Sequence, residues 1–442
     1  MTRGVIIRNG RIVDPSQDLD RETDLLIEDG KVVAIGHDLG NAGCTIDATG
    51  WLVLPGLVDM HVELREPGFE EDEVIHTGTA AALAGGFTTI ACLPSTDPPV
   101  DTQAGVEFIL HQAQRANHCH VAVLASVSKG REGEQLAEIG SLVAAGAIGF
   151  TDAPLPIHNA ELMRRALQYC RMFDRLILNR PRVIELTRNG IMHEGLVSTL
   201  LGLPGLPVEA EDVMTSRDVR LAEATGGRVH LMSLSSEGSV ELVRRAKARG
   251  VAVTADVSPS HIAFGDEELR SFDPNFKLDP PLRSRNHLEA CIEGLVDGTI
   301  DCIASAHAPR ASEKKMLELD MAPFGAIGLE TALATVNSRL IETGHLSWSD
   351  AVAKLSTNPA RILGLEHKGS LAVGADGDVT LVDPHADWVV NPHIFQSKSS
   401  NTPFSGCELR GQVMSTIVGG QLRCSVAAES RIDGSTGGLV RR

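Results

Sequence analysis

His61 and Glu63 stand two residues apart at the end of an apolar run, Trp51–Val62, and a strand sends positions i and i+2 to the same side. An imidazole and a carboxylate placed like this could share a divalent metal ion. A buried His–Glu pair that only hydrogen-bonds is the plainer alternative. Asp152, after the run Ala147–Thr151, is either a third oxygen ligand or the cap of the following helix. A catalytic zinc wants about three protein ligands and an open position. The other strand ends offer little: Asn179-Arg180, Ser233-Leu234-Ser235 and Ser305-Ala306-His307. Neutral Asn and Ser are poor ligands and Ala is none. His307, one step past the mouth position, reads as packed or hydrogen-bonded.

These residues can meet only if the strands that carry them are neighbours. From about Leu52 to Leu365, short apolar runs alternate with helical stretches: Trp51–Val62, Thr88–Leu93, His120–Ser126, Ala147–Thr151, Leu176–Leu178, Arg228–Ser233, Val251–Val257 and Asp301–Ser305. Helical periodicity follows, as in Ser239–Arg249 and Ser349–Leu355. Eight strand–helix units predict an α/β fold, a (β/α)8 barrel over residues 53–365, with its chemistry at the C-terminal strand ends. Met192–Pro207 adds an excursion after the fifth unit, and Ser347-Trp348-Ser349-Asp350 reads as a helix start.

The first fifty residues are β-rich, and Asn9-Gly10 and Asp29-Gly30 each predict a type I′ hairpin turn. A β pattern returns in Asp378–Val382, Met414–Val418 and Gln421–Arg423. Residues 1–52 and 366–426 are therefore expected to form one small β-sandwich domain from both chain termini. Residues 427–442 lack periodicity and are expected to be a disordered tail.

The 442 residues carry 40 basic and 58 acidic side chains, a net charge of −18, which disfavours nucleic acid and anionic lipid as partners. The eight cysteines are scattered singly, so a disulfide framework or thiolate metal site is not expected. With no secretory h-region and no apolar run approaching about 18 residues, a cytoplasmic location is expected.

The motifs carry a resemblance. Pro55-Gly56-Leu57-Val58-Asp59-Met60-His61, Leu64-Arg65-Glu66-Pro67-Gly68, Ala84-Gly85-Gly86-Phe87-Thr88-Thr89, Met192-His193-Glu194-Gly195, Ser356-Thr357-Asn358-Pro359-Ala360-Arg361 and Asn401-Thr402-Pro403-Phe404 occur in order. The chain resembles the bacterial dihydroorotases of the cyclic amidohydrolases, nearly end to end. The resemblance implies zinc-activated water attacking a ring amide, with an Asp at the end of strand eight moving the proton. It implies metal ligands from His-x-His on strand one, Asp on strand four, and His on strands five and six.

Against that pattern His61 and Asp152 are kept, while Glu63, Asn179 and Ser233 occupy His positions. The strand-eight motif reads Ala306-His307-Ala308-Pro309-Arg310, with Ala306 in place of the proton-transfer Asp and Arg310 in place of the last His. Of the substrate contacts Arg65 survives, but Ser95 and Asp279 replace Asn. Loss of an acid–base group alone costs roughly 10² to 10⁴ in rate. The expectation is a non-catalytic homologue in pyrimidine biosynthesis with no cofactor, His61, Glu63 and Asp152 being a remnant set. The resemblance implies assembly with aspartate carbamoyltransferase, in a homo- or hetero-oligomer. The alternative is an active dihydroorotase, interconverting N-carbamoyl-L-aspartate and dihydroorotate, with zinc in an altered site. A third reading is an anion sensor using Arg65, Arg180, Arg283 and Arg310.

Overall fold

The computed structural model describes residues 4–426 and the backbone of 432–434 and 440–441. Eight parallel strands form the barrel: β1 (Leu57–Val62), β2 (Phe87–Cys92), β3 (His120–Ala125), β4 (Ala147–Phe150), β5 (Leu176–Asn179), β6 (Val229–Leu231), β7 (Val253–Val257) and β8 (Cys302–Ile303). Their order in the sheet follows the chain, as successive βαβ units require. The ring is drawn together by Asp59, whose carboxylate accepts from Ser305 N at 2.9 Å, and by Glu63 N donating to His307 O at 2.9 Å. Ile90, Val123, Phe150, Ile177, Leu231, Val257 and Ile303 are fully or almost fully buried within one core under the surrounding helices. The expected helix start at Ser347 is a capping box, with Ser347 Oγ accepting from Asp350 N at 3.1 Å and Asp350 Oδ2 from Ser347 N at 3.1 Å.

Strands from both ends of the chain join one ten-stranded sheet. Leu52–Pro55 is the link, running parallel to Gly4–Asp14 and antiparallel to Val379–Val389. This sheet has its own core of Ile7, Ile12, Leu25, Ile27, Ile46, Val53, Leu381 and Ile417. The run Trp51–Val62 is thus divided between two sheets at Gly56. A Cβ there would lie 2.1 Å from Thr88 Oγ1, so the chain crosses from sheet to barrel only without a side chain.

The two turn signals part company. Asp29-Gly30 (φ 48° and 77°) is the tight turn between Leu19–Glu28 and Lys31–Gly36. Asn9-Gly10 does not make a hairpin. It is a bulge inside the single strand Gly4–Asp14, with the register shifting between Ile7 and Gly10. Asn9 takes φ 60° and its N–H goes to Asp24 Oδ1 at 3.0 Å, while a Cβ on Gly10 would sit 2.3 Å from Val53. In the tail from residue 427, the backbone of Ile432–Gly434 pairs with Cys44–Asp47 and that of Val440–Arg441 with Gln421–Ser425; the rest lies outside the described residues.

Candidate active site at the barrel mouth

His61 ends β1 beneath the mouth, 3% exposed, and its Nε2 lies 2.9 Å from Asp256 Oδ2 on β7. The same oxygen takes His230 Nε2 of β6 at 2.7 Å, and His230 Nδ1 meets Thr254 Oγ1 at 2.8 Å. Asp256 Oδ1 accepts from Ser233 N at 2.9 Å. One buried carboxylate therefore joins β1, β6 and β7. Burial would push His61 down, but the charge and hydrogen bond of Asp256, with Asp59 behind, hold it above the ordinary imidazole value. Burial would likewise raise Asp256, and the two imidazoles outweigh it and hold its carboxyl well below the usual range.

Glu63 points to cations instead of to His61. It forms ion pairs with Arg65 and with Arg310, Nη1 of the latter at 3.1 Å. Arg65 itself sits at φ 63° with its guanidinium over the Phe69 ring. Asp152 is turned to the loop after β3: Oδ1 accepts from Val127 N at 2.9 Å and Ser128 N at 3.1 Å, and Oδ2 from Ser128 Oγ at 2.6 Å. It is neither a helix cap nor joined to His61. Asn179, at the end of β5, accepts from Ile157 N at 2.9 Å and donates to Asp218 at 2.5 Å.

Ser233 and Ala306 follow β6 and β8 at φ 52° and 51°, a left-handed backbone that side chains other than Gly seldom take. His307 Nε2 faces Glu73 Oε2 at 3.5 Å and Nδ1 accepts from Gly328 N at 3.4 Å, the packed, hydrogen-bonded role its place suggested. Asp279 pairs with Arg182 at 2.8 Å and lies 3.7 Å from Arg180 Nε. Ser95 is buried after β2. Arg283 lies behind the mouth, bonded to Ser235 Oγ and Leu206 O and near Glu211.

The three candidate ligands are thus divided among three internal networks. No group of three or more His, Cys, Asp or Glu side chains among the described residues is disposed to hold a metal ion. A zinc centre, as the resemblance expects it, does not fit these residues. The mouth encloses a cavity of about 40 Å³ lined by His61, Glu63, Arg180, Ser233, Asp279 and Ala306 among others. Sites for small organic ligands are ordinarily about 300 to 1,000 Å³.

No motif marks His230 and Asp256 in the sequence. The one signal for them was a carboxylate inside the apolar run Val251–Val257, where a buried charge demands a partner.

A barrel whose site lies at its strand ends, backed by a sheet from both termini, defines a class before any sequence is compared. The model of the amidohydrolase family matches residues 52–423. The dihydroorotases of Pelotomaculum thermopropionicum and Syntrophus aciditrophicus are 48% and 46% identical, each over 95% of this chain and 98% of its own. The L-hydantoinase (dihydropyrimidinase) of Arthrobacter aurescens superposes with a TM-score of 0.86 at 26% identity, covering 99% of both chains. The chain belongs to the amidohydrolase family, and within it to the dihydroorotases. No helix of the described residues is long and apolar enough to cross a membrane.

Proposed function

We propose that this dihydroorotase-family chain is a non-catalytic member of the pyrimidine pathway that serves as a structural partner of aspartate carbamoyltransferase. The observation that carries the reading is the pairing of His61 with Asp256 and of Glu63 with Arg65 and Arg310, which leaves neither free for a metal. At the place of the proton-transferring Asp stands Ala306, which has no group to move a proton. The left-handed backbone at Ser233 and Ala306 supports it further. Such strain clusters at working sites, and here it persists beneath side chains that cannot do the work. A surface role is supported by Met316, Leu317 and Met321, three exposed apolar side chains on the segment after β8.

The second reading is an active dihydroorotase with an altered metal site. The names of the relatives, at 44–48% identity over 95% of the chain, favour it over the first. It requires His61 to leave Asp256, and a base from among Asp97, His307 and Asp279, the last two against the pull of Glu73 and Arg182.

Mixing the purified chain with aspartate carbamoyltransferase of the same genome and measuring the mass of the product tests the partnership. A stable complex of defined stoichiometry is expected. Separate elution at micromolar concentration would remove the structural role.

A further inference from the structure

We propose that the barrel mouth binds a small monoanion, either a carboxylate group or an inorganic ion of similar size, gripped by Arg180 and Ser233. Arg180 follows β5 with its side chain 12% exposed, and its Nε and Nη2 are buried without a hydrogen-bond partner. The nearest carboxylate, Asp279, is 3.7 Å from Nε and spends its Oδ2 on Arg182 at 2.8 Å. Ser233 is 1% exposed, and its Oγ is likewise without a partner. Both residues line the same cavity of about 40 Å³. Buried guanidinium and hydroxyl groups left unbonded are costly and rare, and two on one cavity wall point to a shared acceptor. A volume of this size takes roughly two or three waters, or one anion of three or four heavy atoms.

The charge around the cavity agrees. Glu63 faces Arg65 and Arg310, and Asp279 faces Arg180 and Arg182, so four guanidinia meet two carboxylates. Nearby, His61 Nε2 faces Asp256 at 2.9 Å and His307 Nε2 faces Glu73 at 3.5 Å. Within the arginine ion pairs the guanidinia outnumber the carboxylates, in a chain whose net charge is −18. Asp279 repels an incoming anion, but two guanidinia hold it ionised and compensated. Leu93, Leu278 and Ala306 form apolar wall, which strengthens a charge-assisted bond to Arg180. Anion binding at this cavity does not depend on whether the chain turns over a substrate.

Two sources could supply the anion: a free inorganic ion, or the carboxylate end of a larger ligand. Calorimetric titration of the full chain with acetate, bicarbonate and succinate, in chloride-free buffer at fixed ionic strength, distinguishes them. Saturable one-site binding of acetate or bicarbonate is expected, weakened about tenfold or more by Arg180→Gln and to a smaller degree by Ser233→Ala. Equal affinities for all three anions identify a free ion, and tighter succinate binding identifies the end of a larger molecule. No saturable binding of any of them, or unchanged affinity in both variants, overturns the proposal. Should Arg180→Gln not fold, bromide in crystals of the unaltered chain decides: anomalous scattering within hydrogen-bond reach of Arg180 supports the site, and peaks only elsewhere overturn it.

Discussion

The Nε2 of His61 lies 2.9 Å from Asp256 Oδ2, although 195 residues separate them, and this contact turns a candidate metal ligand into one end of a buried charge pair. His230 completes it from β6 at 2.7 Å. Where zinc chemistry would need an imidazole free to bind a metal, this barrel has one fastened to a carboxylate on β7, two strands away across the closure of the ring. The contact links the closing strands and so contributes to the scaffold.

Replacing Asp256 by Asn strips the charge from beneath two imidazoles. Breaking a buried pair from one side costs about 3 to 5 kcal/mol of stability. His61 binds its proton more tightly folded than unfolded, so that share of the pair is complete below the ordinary imidazole value near 6.5 and is lost as pH rises through the raised folded value. Asp256 is opposite: its share is present above about 3.9 and lost as acid reaches the depressed folded value. Denaturant melts are therefore expected to show the largest wild-type advantage over Asp256→Asn at mildly acid pH, shrinking toward alkaline pH. A pH-independent difference would contradict a charged pair.

Ala306→Gly is expected to stabilise the protein by about 0.5 to 1 kcal/mol, because relief of left-handed strain exceeds the added freedom of the unfolded chain. Equilibrium unfolding measures it. A loss of stability would show that the methyl group's packing outweighs the strain.

Lys315 is buried after β8, with Nζ donating to Pro274 O at 2.8 Å. Burial, with Lys277 nearby, pushes its ammonium down to about 7. Between that value and the unfolded one the unfolded chain holds a proton that the folded chain does not, so stability from this site rises with pH. Lys315→Met should therefore stabilise most below pH 7 and least near pH 10, as followed by thermal unfolding. An advantage that grows with pH would refute the assignment.

Much of the fold was legible because β-runs and helices alternate over short, local intervals, as at Thr88–Leu93 and Val251–Val257. Asp29-Gly30 was legible for the same reason. Asn9-Gly10 was not, since the dipeptide serves equally for a bulge, and what decides is the approach of Val53 from a strand forty residues on. The site divides likewise. Which residues stand at the strand ends follows from the sequence. Where His61, Glu63 and Asp152 direct their polar atoms depends on Asp256, Arg310 and Ser128, which no local spacing connects to them.

If the site is a relict on an intact scaffold, restoring its ligands should restore metal binding. The combined variant Glu63→His, Asn179→His, Ser233→His, Ala306→Asp is expected to retain about one zinc per chain after dialysis, as a set of three or more N/O ligands would. Metal analysis showing none would mean that the backbone no longer holds the family geometry.

The most direct test of the central claim is dihydroorotase turnover, assayed in both directions on the purified wild-type chain after incubation with excess zinc, with metal content measured on the same sample. No turnover above the buffer rate and substoichiometric metal are expected. Zinc-dependent turnover with bound metal would contradict it, and would mean that His61 leaves Asp256 to hold a working ion.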